Sequence, residues 1–136
     1  MCGQSFVFRR KHRLHCFITH PGGKVLATFA TTSQATDMYY AILAEDLPGT
    51  LEQRRQAHPA HVERLKALLA QGRVLIAGPH PSIDAEDPGK AGFSGSLIVA
   101  EFESLETAKA WVSEDPYVTA GVYGQVTVKP FKKVLP

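Results

Sequence analysis

An α+β fold with the element order β-α-β-β-α-β is predicted from Met38 onward by three observations: two helical stretches with apolar stripes, four short β-prone runs, and Gly or Pro punctuation between them. Tyr39 to Ala44 is the first β-prone run, ended by the turn residues Asp46-Leu47-Pro48-Gly49. Leu51 to Gln71 is helical in composition, but Pro59 would break a continuous helix and suits the first turn of a new one, so two segments are expected. In the second, Val62, Leu65, Leu68 and Leu69 form an apolar stripe, with Glu63, Arg64 and Lys66 outside it, and Gly72 ends the helix.

Arg73 to Ala77 reads as strand two, closed by Gly78-Pro79. His80 to Phe93 is rich in Pro, Asp and Gly and predicts a loop of about 14 residues, long enough to carry function. Ser96 to Phe102 is strand three, apolar on both faces from Leu97 to Ala100, as a buried central strand requires. Ser104 can cap the next helix, whose inner stripe is Leu105, Ala108, Trp111 and Val112 and which should stop before Asp115-Pro116. In strand four, Tyr123 to Lys129, Val126 and Val128 alternate with Gln125, Thr127 and Lys129. Two interleaved right-handed β-α-β units around one antiparallel sheet give a ferredoxin-like plait with both helices on one face. The other face then lacks a cover, and a homodimer stacking sheet on sheet would bury it.

The basic excess lies upstream. Residues 1–37 carry Arg9, Arg10, Lys11, Arg13 and Lys24 against Asp37 alone, leaving 10 basic and 12 acidic residues for 38–136, a balance that argues against nucleic acid as a partner. Residues 1–37 show no sustained period and read as a disordered leader, as a misplaced start ahead of Met38, or as a fusion. Cys16 with His12, His15 and His20 lacks zinc-ligand spacing, so no metal is expected. Both cysteines, Cys2 and Cys16, precede Met38, and basic residues interrupt the apolar run a secretory signal needs, so a reducing cytoplasm is the expected setting. No stretch approaches the roughly 18 to 20 apolar residues of a membrane span.

Four segments resemble the YciI-like (YCII-related) family and together span nearly all of residues 38–136: Arg55 to Leu69 (RQAHPAHVERLKALL), Gly72 to Pro81 (GRVLIAGPHP), Asp87 to Phe102 (DPGKAGFSGSLIVAEF) and Asp115 to Lys133 (DPYVTAGVYGQVTVKPFKK). The leader has no counterpart in the family pattern. The resemblance implies a dimeric α+β barrel, related in shape to muconolactone isomerases, with a His and an Asp as its reactive pair. Those positions correspond to His61 and Asp115. It also implies chemistry on small organic, cyclic or aromatic substrates, since one family relative removes chloride from chlorinated hydroquinones.

The residues themselves leave alternatives open. His61 precedes Leu65 by four positions and Leu68 by seven, so it lies inside the apolar stripe, where it could be a packed core histidine or a general base whose tautomer a carboxylate fixes. Asp115 could be that carboxylate or a turn residue before proline. Tyr117 could line a pocket or pack as an aromatic, whereas Tyr40 reads as structural. Ser94 and Ser96 flank Gly95 and could hold a ligand oxygen, though Ser-Gly-Ser is also ordinary turn composition and no serine-nucleophile elbow accompanies it. His80 reads as a surface residue or a second proton carrier, and Gly78-Pro79 as the shaping of a pocket rim. With no phosphate loop or dinucleotide fingerprint, no cofactor is expected. Three functions follow: a cofactor-independent enzyme that abstracts a proton from a small organic substrate, a non-catalytic dimeric module that binds a metabolite or a protein, or a domain tethered by its basic leader to an acidic partner or membrane surface.

Overall fold

The computed structural model describes residues 37–136, so the leader expected over residues 1–37 lies, except for Asp37, outside the described residues. The elements are β1 (Met38–Asp46), α1 (Leu51–Ala70), β2 (Val74–Pro81), a turn of 3-10 helix at Gly89–Ala91, β3 (Phe93–Phe102), α2 (Leu105–Ser113), α3 (Pro116–Thr119) and β4 (Tyr123–Phe131). The four strands make one sheet in the order β2-β3-β1-β4, with every neighbouring pair antiparallel. This is the ferredoxin-like plait.

Strand alternation decides what the helices cover. Tyr40 and Ile42 of β1 and Ile98, Ala100 and Phe102 of β3 point to one face and pack against Leu68 of α1 and Ala108 and Val112 of α2. A second cluster, Ala44, Tyr117, Val122 and Tyr123, seats α3 at one end of β1 and β4. The opposite sheet face carries Ala41, Leu43, Ile76, Leu97 and Val99, and Leu43 and Ile76 remain 41% and 56% exposed.

Three expectations are corrected. Pro59 does not divide the helix: α1 runs unbroken from Leu51 to Ala70, because the buried residues Arg54, His61 and Leu68 recur every seven positions and anchor one stripe on both sides of the proline. Leu69, placed in that stripe from the sequence, is 60% exposed. The loop expected over 80–93 is shorter, because β2 continues to Pro81, paired with Phe93 at the start of β3. Pro79 and Pro81 are tolerated there because β2 is an edge strand, where a missing N–H can face away from the ladder. The helix ends follow their local signals: Ser104 accepts a bond from Thr107 N at 3.1 Å to cap α2, and Gly72 leaves α1 with φ of 71°.

Gly95 sets how closely β3 approaches β1. A Cβ at this position would lie 2.1 Å from the carbonyl oxygen of Ala44, a backbone atom that cannot yield without parting the two central strands. Gly95→Ala is therefore expected to destabilise the domain by roughly 3 kcal/mol or more, read from urea unfolding midpoints. A loss below about 1 kcal/mol would mean that the strands separate easily here.

Candidate active site

The site begins with the α1 stripe. Arg54 and His61 are two helical turns apart on the buried face, 6% and 5% exposed. Asp115 comes from the other end of the chain as the N-cap of α3, with extended backbone and its Oδ1 accepting from Tyr117 N at 3.0 Å, while Pro116 occupies the first helical turn. The carboxylate is fully buried and lies 2.9 and 3.0 Å from His61 Nδ1. Arg64 Nη1 donates to its Oδ2 at 3.1 Å, and Arg64 is itself held by Nη2 on the carbonyl of Trp111 at 2.6 Å.

This arrangement assigns the imidazole tautomer. An ionised carboxylate only accepts, so Nδ1 carries a proton, and in the neutral imidazole the lone pair is on Nε2. Nε2 has no hydrogen-bond partner among the described residues, and His61 lines a pocket of about 440 Å³, within the size range of small-molecule sites. Tyr117 stacks on the imidazole with ring centroids 4.1 Å apart, and its hydroxyl shares a 2.8 Å hydrogen bond with His58 Nδ1. Burial raises the Tyr117 pKa, with Arg54 opposing it, and burial lowers that of His58, with His61 and Arg54 acting in the same direction.

Arg54 forms the adjoining wall. Its Nη1 reaches both oxygens of Asp46, at 2.8 and 2.7 Å, and its Nη2 donates to Ser96 Oγ at 2.9 Å. The guanidinium lies over the Tyr117 ring at 4.6 Å. Burial raises the Asp46 pKa, with Arg54 pulling the other way.

Of the residues singled out from the sequence, His61, Tyr117, Ser96 and Gly78 line the one pocket, and Asp115 stands behind His61. Ser94 does not join them. Because β3 starts at Phe93, Ser94-Gly95-Ser96 is strand rather than turn, and the Ser94 side chain opens on a separate crevice beside Leu47 and Thr50, with its hydroxyl on the His80 carbonyl. His80 is exposed on β2 and stands outside the pocket, while Tyr40 is a core residue, as expected. Sequence reasoning missed Arg54, Asp46, His58 and Arg64. One signal was available for Arg54, an arginine seven residues before His61 on the same helical stripe.

Residues 38–132 match the YCII-related domain. Protein YciI of Escherichia coli O6:H1 is 58% identical over 97 residues, which cover 71% of this chain and 99% of that protein. An uncharacterized protein of Haemophilus influenzae is 57% identical over 97 residues, with the same coverage of both chains. Among solved structures, 5-chloro-2-hydroxyhydroquinone dehydrochlorinase of Burkholderia phenoliruptrix AC1100, in complex with 2,5-dihydroxybenzoquinone, aligns with a TM-score of 0.62 at 26% identity, covering 70% of this chain and 94% of that one.

Tyr123 closes the rear of the site, with its ring 5.2 Å from that of Tyr117 and its buried hydroxyl beside Ser96 but in no well-formed hydrogen bond among the described residues. Burial drives its pKa upward. Tyr123→Phe removes that unmet hydroxyl and is expected to leave stability at neutral pH unchanged or raise it by about 1 kcal/mol. Because the folded-state pKa values of Tyr117 and Tyr123 lie above the ordinary 10.0, the unfolded chain loses these protons first, so stability falls as pH rises past that value. The variant should show a shallower alkaline loss than wild type in urea titrations at neutral and alkaline pH. A clear drop in stability at neutral pH would mean that the hydroxyl has a partner.

Proposed function

The chain belongs to the YCII-related family, and on that premise we propose that it is a small-molecule enzyme in which the His61–Asp115 pair moves a proton. The observation that carries this reading is the buried carboxylate on Nδ1, which leaves Nε2 free, among the described residues, at a mostly apolar pocket. In the proposed step Nε2 takes a proton from an O–H or C–H bond of the substrate, and the electron pair of that bond stays on the substrate. Asp115 holds the ring in register and stabilises the imidazolium, while Arg64 and the Tyr117 N–H hold Asp115. In this reading Ser96 and the Tyr117 hydroxyl, whose residues line the pocket, fix substrate oxygens.

The likeness to a dehydrochlorinase whose name specifies a hydroxyhydroquinone supports a flat, oxygenated ring as substrate. No helix among the described residues is long and apolar enough to cross a membrane. The absence of cysteine from residues 38–136 supports a reducing, cytoplasmic setting. The apolar outer sheet face, with Leu43 and Ile76 exposed, supports a homodimer that stacks sheet on sheet.

His61→Ala is expected to lower turnover of chlorinated hydroquinones, phenols or lactones at least about 100-fold, the usual worth of a positioned base, with the unfolding midpoint measured alongside. Wild-type turnover in a folded His61→Ala would overturn the proton-transfer reading. Leu43→Lys combined with Ile76→Lys places charges on the proposed interface and should convert a dimer to a monomer in sedimentation velocity. An unchanged dimer would move the interface elsewhere.

A further inference from the structure

Arg54 is explained neither by the core nor by the His61–Asp115 pair. It is 6% exposed and paired with Asp46, whose side chain is 5% exposed. Burying both charges costs several kcal/mol for each ion, and a well-packed apolar pair of similar volume would hold such a place at least as well. The raised pKa of Asp46, caused first by burial, agrees that the pair gives little net stabilisation.

Its placement has a different logic. The guanidinium carbon lies 4.6 Å from the ring centroid of Tyr117 and 5.4 Å from that of Phe93. Asp46 and Ser96 engage its two terminal nitrogens and fix its plane. Its Nε makes no hydrogen bond among the described residues, although the residue lines the pocket. Tyr117 also stacks on His61, so one ring brings the cation and the imidazole to the same patch of wall.

The rest of the lining sharpens the chemistry. Arg54, Arg55, His58 and His61 line the pocket and, among the described residues, no carboxylate does, while Leu51, Val62, Leu65, Pro79 and Ile98 make its other walls apolar. A cavity that is apolar in most of its walls and carries the Arg54 guanidinium in its lining favours a flat apolar molecule bearing one negative charge. Arginine, with its planar charge and several donors, suits an oxyanion better than lysine does.

We propose that the pocket takes a monocyclic aromatic or enolic oxyanion, with Arg54 receiving the charged oxygen beside His61. This deepens the proton-transfer reading and rests on it. When Nε2 removes a proton from an O–H bond, or from a C–H bond beside a carbonyl, the electron pair left behind resides on a phenolate or enolate oxygen. Arg54 meets that charge as it forms.

The test is calorimetric titration of the full chain with 4-nitrophenolate and 4-cyanophenolate, each above its pKa, and with their uncharged methyl ethers. Wild type is expected to bind the phenolates about ten- to a hundredfold more tightly than the ethers, the usual worth of a charge-assisted hydrogen bond. Arg54→Met should abolish that preference, Arg54→Lys should keep part of it, and Asp46→Asn, which removes the compensating charge, should enlarge it. If Arg54→Met fails to fold, the Arg54→Lys and Asp46→Asn variants still read the same charge. No preference in wild type, an undiminished preference in folded Arg54→Met, or an unchanged one in both Arg54→Lys and Asp46→Asn would overturn the proposal. Phenolates are already ionised and need no base, so His61→Ala should retain the preference. Its turnover therefore tests the proton-transfer reading separately.

Discussion

Burial of the Asp115 carboxylate is the constraint around which the site is arranged. A charge with no exposure is stable only if its lone pairs are met, and three donors meet these: the Tyr117 N–H, the imidazole of His61 and the guanidinium of Arg64. They come from α3 and from two positions on α1, and Arg64 extends the tie to α2 through the Trp111 carbonyl. One carboxylate thus joins three helices. Removing any partner would leave a buried charge less compensated, at a cost on the order of 3 kcal/mol. The same requirement fixes the imidazole: Nδ1 faces the acid, and Nε2 is left for the pocket.

The continuity of α1 across Pro59 follows from the same geometry. A proline in a helix interior costs about 3 kcal/mol through a lost hydrogen bond and a clash with the preceding turn. The contacts of Arg54 on one side and of His61, Arg64 and Leu68 on the other offset that cost only if both halves share one axis. A break at Pro59 would rotate Arg54 away from Tyr117 and dissolve the wall that the two residues form.

Two arginine–carboxylate pairs flank Tyr117, and they differ in what they face. Arg64 lies behind the imidazole, stacked on Trp111 at 4.4 Å, with its charge taken up by Asp115. Arg54 lies in the pocket lining, with its charge paired to Asp46. In one pair the cation orients an acid; in the other the acid orients a cation.

The sequence by itself determined what depends on neighbours along the chain. The β-α-β-β-α-β order, the Ser104 cap, the stop at Gly72 and the place of His61 within an apolar stripe all follow from local propensity and period, and the family resemblance supplied Asp115 as its partner. The tertiary structure alone decided which side chains meet across the fold. Arg54 finds Asp46, Ser96 and Tyr117, and Tyr117 finds His58, across gaps of 8 to 63 residues. Periodicity reports which face of its own element a residue occupies, but strand register and helix seating fix what stands opposite. For that reason Ser94 and Ser96, equal candidates two residues apart on one strand, part company: Ser96 reaches Arg54 in the pocket wall, and Ser94 opens on another crevice.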